Sequence, residues 1–246
     1  MARFELHPLW REVLGDVLAE AARLGPTAVL AFDLDSTLLD NRPRQAALVQ
    51  RFVAERGSLS ALANFEARHL HTGFDMREAL LRHGLGVEEA ERFLADFLPY
   101  WRQLFFTNDV CLADVPVRGA PQYVQRAASS FAQVAYVTAR PELMRSGTLE
   151  TLGRYGFPLP GSGVQLWMKG DAAVSDASFK KSIHRRLTEK GKVLAAFDNE
   201  PGHANDYRAS FPEATVVLLA TGDSGRVSAL AESIIAAPHF QYGAEK

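Results

Sequence analysis

Ala28-Val29-Leu30-Ala31-Phe32-Asp33-Leu34-Asp35-Ser36-Thr37-Leu38-Leu39-Asp40 decides how the rest of the chain is read. A short apolar run ends in two carboxylates two residues apart, followed by a Ser-Thr pair. The run has the length of a strand buried on both faces. In open α/β sheets the ligand site lies beyond the carboxyl ends of the strands, so Asp33 is expected where a strand emerges into a site, with Asp35 a step along the turn. Two carboxylates this close repel each other unless a cation or a shared proton relieves them, and a hard, oxygen-preferring ion such as Mg²⁺ is the natural candidate. Asp is equally a common turn residue, so the pair needs support from downstream.

The composition allows such a fold. With 246 residues, 47% apolar and 23% charged, the chain can bury a sizeable core, as one domain or as a core with an insert. A net charge of −2 leaves no basic footprint for nucleic acid or anionic membrane. Cys111 is the only cysteine, which rules out an intrachain disulfide and fits a reducing, cytoplasmic setting. The segment from Arg3 to Arg11 is too polar for a secretory signal, and no apolar run approaches the roughly 20 residues that span a bilayer.

On the N-terminal side, Leu9, Val13, Val17, Ala21 and Leu24 share one helical face, predicting a helix over 8–24 that Gly25-Pro26 ends. On the C-terminal side, residues 42–107 read as helical throughout, with faces marked by Leu48, Phe52 and Val53, then Leu62, Phe65 and Leu70, then Ala79 to His83. The longest runs from Val87 to Phe105, with a kink expected at Pro99. An all-helical insert directly after the first strand reads as a second domain placed over the strand ends. Residues 1–41 and 108–246 would then form an α/β core with a parallel sheet flanked by helices, and 42–107 a cap.

Three further apolar runs end in polar residues. Gln133 to Val137 leads into Thr138-Ala139-Arg140-Pro141, where Thr138 is expected at a strand end and Pro141 in the first turn of a helix running towards Tyr155. Val193 to Phe197 leads into Asp198-Asn199-Glu200. Thr215 to Ala220 leads into Thr221-Gly222-Asp223-Ser224-Gly225, a turn that could form a phosphate nest. Val164 to Met168 is a further short strand. Phe179, Ile183 and Leu187 mark a helix with Lys180-Lys181 near its start, and only one of these lysines can face a site, since a helix turns by about 100° per residue. Residues 228–235 are expected as a short helix and 238–246 as a tail.

Phe-Asp-Leu-Asp-Ser-Thr resembles the first motif of the haloacid dehalogenase superfamily. Tyr-Val-Thr-Ala-Arg, Phe179-Lys180 and the acid at Asp198 are similar to its second, third and fourth motifs, in the family's order. The helical insert matches the C1 cap of that superfamily's phosphatases. The fourth motif departs from the usual pattern, with Asn199 and Gly202 where further acids are common. The resemblance implies a phosphatase acting on a small-molecule phosphate monoester through an aspartyl-phosphate. In it Asp33 is the nucleophile, Asp35 the general acid and base, and Thr138 and Lys180 bind the transferring oxygens. Mg²⁺ is held by Asp33, Asp198 and the main-chain carbonyl of Asp35. Asn199 or Glu200 completes that set directly or through water, Thr37 holds the loop, and His203 lies on the loop surface. Asp35 favours phosphoryl transfer over dehalogenation, because a halide leaving group needs no proton. Arg42, Arg44, Arg68, His69 and His71 are the polar residues of the loop and the cap that could meet an anionic substrate, with solvent exposure or a structural hydrogen bond the commoner role for each, and the protein is expected as a monomer or homodimer. A phosphomutase, a phospho-receiver module and a non-catalytic binding protein are the competing readings.

Overall fold

A computed structural model describes residues 4–57, 59–171, 173–226 and 229–243. The helix α1 (Trp10–Leu24) ends where Gly25 turns to φ +56°. The strand β1 (Ala28–Phe32) follows and is buried at every position. A two-residue strand β2 (Leu39–Asp40) then leads into the insert, whose helices are α2 (Arg42–Arg56), α3 (Met76–His83) and α4 (Val87–Leu104). The chain returns through β3 (Val115–Pro116), which pairs antiparallel with β2, so a short ribbon forms the stem of the insert. The core continues with α5 (Ala120–Ser129), β4 (Gln133–Pro141), α6 (Arg145–Arg154), β5 (Val164–Lys169) and α7 (Asp176–Lys190). It ends with β6 (Lys192–Asp198), α8 (Pro201–Ser210), β7 (Thr215–Leu219) and β8 (Ile235–Ala237).

Six strands form one parallel sheet in the order β5-β4-β1-β6-β7-β8. The chain builds outward from β1 to one side through β4 and β5, then crosses back and builds to the other side from β6. The topological switch therefore lies between β1 and β6, and in doubly wound sheets the crevice at that switch takes the ligand. The alternation of side chains along β1 feeds two cores. Leu30 and Phe32 pack with α1 and α5, and Val29 and Ala31 pack with α7 and α8. Both faces are covered, as an all-parallel sheet requires.

The insert has its own apolar cluster, running from Ala46 to Val110 and built on Phe52, Phe65, Phe93 and Phe97. Leu62, Phe65 and Leu70 do not share a helix. They lie on and beside two short 3₁₀ turns, Ser60–Asn64 and Ala67–His69. No helix among the described residues is long and apolar enough to cross a membrane.

The C-terminal expectations need correction. Ser228 lies outside the described residues, and 229–234 are not helical. Ile235–Ala237 instead forms the sixth strand, and Phe240 is fully buried against Phe32, Tyr123 and Phe197. An edge strand of three residues carries too little period to be read from sequence. The segment is held in place by Gly119, whose φ of +78° and close approach to Gln241 leave no room for a side chain.

Candidate active site

Phe32 and Phe197 are register partners on β1 and β6, and their rings stack with centroids 4.6 Å apart. Each is followed by an aspartate, so Asp33 and Asp198 emerge side by side at the switch point. Asp33 N–H extends the ladder to the Phe197 carbonyl at 2.9 Å. On the other side Phe32 is paired with Tyr136, which brings Thr138 up two residues later on β4. Thr138 is not at the strand end as expected. The strand continues past a register shift to Pro141, a 3₁₀ turn (Glu142–Met144) intervenes, and α6 begins only at Arg145.

Lys180 comes from α7, whose start is capped by the Ser175 hydroxyl accepting from Ser178 N–H. Its buried ammonium donates to Asp33 Oδ1 at 2.8 Å and to Asp198 Oδ2 at 2.7 Å. Lys181 points away, exposed, 3.9 Å from Asp206. Burial opposes the Lys180 charge, but Asp198 and Asp33 outweigh it and raise its pKa. The two aspartates split in response. Asp33 is pushed up to about 6, by burial first and by the neighbouring Asp198 charge, against the pull of Lys180. Asp198 is also buried, but Lys180 and His203 hold its pKa low.

Thr37 donates towards Asp33 Oδ2 (3.1 Å) and Asn199 Oδ1 (3.2 Å), as a loop-holding residue should. The turn between Asp33 and β2 is tight. Ser36 adopts φ +58°, unusual for a residue with a side chain, with its N–H on the Leu39 carbonyl at 2.7 Å and its own carbonyl taken by the Thr221 hydroxyl.

Asp35 is enclosed by basic groups. Arg140 Nε and Nη2 bind its two oxygens at 2.8 and 2.9 Å, and Arg44 Nη2 binds Oδ1 at 2.9 Å. Both arginines also reach Asp114, which is fully buried beneath them. Burial would raise the Asp35 pKa, but the Arg140 and Arg44 charges override it and hold the carboxyl well below the usual carboxylate range.

Arg140 and Asp114 carry no role that their local sequence predicts. No local signal marks Arg140: the apolar run ends at Val137, and only the strand's continuation through Thr138 and Ala139 carries the guanidinium inside, where it must have carboxylate partners. Arg44 was expected to meet substrate. It is fully buried, and its guanidinium lies 4.6 Å over the Phe105 ring.

The remaining substrate candidates lie away from Asp33. Arg42 binds Asp40 and lines a separate cleft of about 430 Å³ together with His71. Arg68 pairs with Glu66 on the surface, and His69 accepts the Glu66 N–H and packs on His83. Asn199 and Glu200 are also spent elsewhere. Asn199 donates to the Gly222 carbonyl, and the Glu200 carboxylate takes the Ser224 N–H and hydroxyl. The Ser224 and Gly225 N–H groups already hold the Glu200 and Asp223 carboxylates, so the turn is not a free phosphate nest. His203 is not on a loop. It sits in the first turn of α8, 14% exposed, with Nδ1 3.4 Å from Asp198 Oδ1.

Asp33, Asp114 and Asp198 are buried and Asp35 is partly exposed; Arg44, Arg140, Lys180 and His203 face them, and Asp33 is the carboxylate pushed towards protonation. The donors at the switch point are oxygens, and no group of three or more His, Cys, Asp or Glu side chains is arranged for a metal among the described residues. That donor set fits Mg²⁺, which commonly binds through one or two carboxylates and keeps several waters.

Above these groups lies a cavity of about 600 Å³. Its floor includes Asp33, Asp35, Thr138 and Lys180. Its roof comes from the insert and includes Phe74, Phe97, Trp101, Phe105 and Phe106.

No protein-family model matches the chain, and no curated protein matches it in sequence. Among solved structures, a "Putative Phosphatase from Clostridium difficile" aligns with a TM-score of 0.50 and 12% identity, over 80% of this chain and 86% of its own. CbbY from Rhodobacter sphaeroides, in complex with phosphate, aligns at 0.47 and 15% identity over 87% and 94%. A haloacid dehalogenase-like family hydrolase from Streptococcus pneumoniae aligns at 0.42 and 13% over 78% and 84%. At 12% identity the likeness to the Clostridium difficile structure is one of fold alone.

Proposed function

We propose that this chain is a phosphatase that hydrolyses a small-molecule phosphate monoester through an aspartyl-phosphate on Asp33. The observation that carries this reading is the meeting of Asp33 and Asp198 on the ammonium of Lys180 at the switch point, beneath a cavity that reaches solvent. A nucleophilic carboxylate needs to be fixed and accessible, and Asp33 is held by Lys180 on one oxygen and Thr37 on the other.

Lys180 and Thr138 line the place where phosphoryl oxygens would lie. Aimed donors of this kind typically contribute a few kcal/mol each to the transition state. Asp33, Asp198 and the main-chain carbonyl of Asp35 are the residues that would hold Mg²⁺. When bound, the ion would shield the nucleophile's charge from the phosphate and stabilise charge on the transferring group.

Asp35 is assigned the proton transfers, with a constraint set by its partners. While Arg140 occupies both oxygens the carboxylate is a poor acid, so taking a proton for the departing alkoxide requires Arg140 to loosen its grip.

The test is phosphate release from a panel of phosphate esters with Mg²⁺, with EDTA and with Asp33→Asn, together with trapping of an acid-stable, hydroxylamine-sensitive phosphoenzyme. Metal-dependent turnover lost in Asp33→Asn is the expected result. Turnover that survives Asp33→Asn overturns the assignment, and phosphoenzyme that forms without turnover moves the chain to the receiver or mutase readings.

A further inference from the structure

The cavity over Asp33 has two unlike halves. Every cation that lines it among the described residues is already committed. Arg140 is bound to Asp35 and Asp114, Lys180 to Asp33 and Asp198, His203 to Asp198, and Lys169 to Asp176 at 2.6 Å. These all lie at the floor, where the phosphate end would be. The roof offers nothing comparable. Trp101 spends its indole N–H on Gln45 Oε1 at 2.6 Å, and the Gln45 amide nitrogen is spent on the Gly73 carbonyl. A sugar or polyol entering the roof would lose water from its hydroxyls and find few replacement partners, Asn41 Oδ1 among them.

The roof is also a fixed aromatic surface. Trp101 stacks on Phe105 with centroids 4.5 Å apart, Phe106 meets both edge-on at 5.9 and 5.0 Å, and Arg44 backs Phe105 from behind. Around the same cavity stand Phe74, Leu98, Phe106 and Leu143, exposed by 58, 38, 40 and 62%. Large apolar side chains gathered in solvent at one opening mark a binding surface. The cavity volume falls within the range of sites that hold drug-sized ligands, well beyond a phosphate alone.

We propose that the ester taken by this site carries an uncharged aromatic alcohol part, seated on Phe74, Trp101 and Phe106 with its phosphate on the Asp33 side; this rests on the phosphatase reading above. Aromatic faces and edges favour a ring over a hydrated polyol of equal size. A second phosphate on the leaving group would find no uncommitted cation in the roof.

The test compares 2-phenylethyl phosphate with glycerol 3-phosphate and glucose 6-phosphate, all esters of alkyl alcohols, so that leaving-group acidity does not decide the ranking. The phenylethyl ester should lead in kcat/KM by about ten-fold or more, the size expected for seating one ring. Phe106→Ala and Phe74→Ala, both rim residues, should each narrow that ratio, chiefly through a higher KM. Equal or better turnover of the polyol esters, or a ratio untouched by both variants, overturns the proposal. A parallel measurement separates it from the phosphatase reading. If no ester is hydrolysed, calorimetric binding of 2-phenylethylphosphonate in clear preference to a hydroxyalkylphosphonate supports the aromatic seat while that reading falls. Binding of neither, or of both alike, sinks the seat.

Discussion

Arg140 grips both carboxylate oxygens of Asp35, Nε at 2.8 Å from Oδ2 and Nη2 at 2.9 Å from Oδ1, across 105 residues of sequence. The arginine is itself almost wholly buried and is shared with Asp114, so the pair belongs to a network in which each charge balances the next. Removing one partner from such a network strands the others. Arg140→Met should therefore destabilise the protein by about 3–5 kcal/mol. The double variant with Asp35→Asn should be less destabilised than the sum of the single changes. Urea midpoints for the three variants measure this directly.

Asp33 carries the opposite tension. Its pKa is raised to about 6, so the folded state holds its proton more tightly than the unfolded chain does. Above about pH 6 the ionised group costs stability, and the cost fades as pH falls and the proton returns. In metal-free protein at pH 8, Asp33→Asn should raise stability by on the order of 1–3 kcal/mol, and with Mg²⁺ added the variant should show no turnover. Thermal unfolding at pH 8 and pH 5 tests the sign, since the gain should shrink at the lower pH.

Addition of Mg²⁺ should stabilise the native protein by mass action, by about 2.7 kcal/mol when the ion is at 100 times its dissociation constant. The shift should be largely lost in Asp198→Asn, whose carboxylate is one of the two offered at the switch point. Melting curves with Mg²⁺ and with EDTA would show it. An equal shift in the variant and the wild type would remove Asp198 from the ligand set.

The two adjacent lysines should behave differently. Lys180→Met removes the ammonium between Asp33 and Asp198 and should lower kcat by roughly 100-fold or more. Lys181→Ala, on an exposed side chain, should leave kcat unchanged and stability within about 0.5 kcal/mol. Steady-state kinetics on any accepted ester distinguish them.

His184 supplies an acid-side limb of stability. Its ring stacks on Tyr207 at 4.6 Å, its Nδ1 lies 2.8 Å from the Ser210 hydroxyl, and burial pushes its pKa down to about 4. The unfolded chain takes up the proton first as pH falls below the ordinary histidine value. Stability should therefore drop between about pH 6.5 and pH 4, by on the order of 2 kcal/mol from this group, and level off below. His184→Gln should flatten that limb in a pH series of urea melts.

The order of elements and the strand-end acids were legible in the sequence because they rest on local rules. Buried parallel strands are continuous apolar runs, and the residue that ends such a run is presented at the sheet's edge. Asp33 and Asp198 follow from that rule, and the helical nature of the insert from its helical apolar period. Between Lys180 and Lys181 the sequence left a choice that helix phase could not resolve, because the answer depends on how α7 lies across the sheet. The third strand beyond the switch, β8, escaped because three residues at a sheet edge show no period.

Chain order thus determined the sheet, the site's position in it and the residues at its strand ends. Tertiary structure decided which charges meet there. The Arg140 clamp, the buried Asp114 beneath it and the bond from Trp101 to Gln45 join residues separated by tens of positions, and no local period encodes such pairings. It also claimed Arg42, Arg44, Arg68 and His69 for other partners and placed His71 on a separate cleft. A basic residue is free to meet substrate only where no nearer carboxylate or carbonyl claims it, and that is settled by packing.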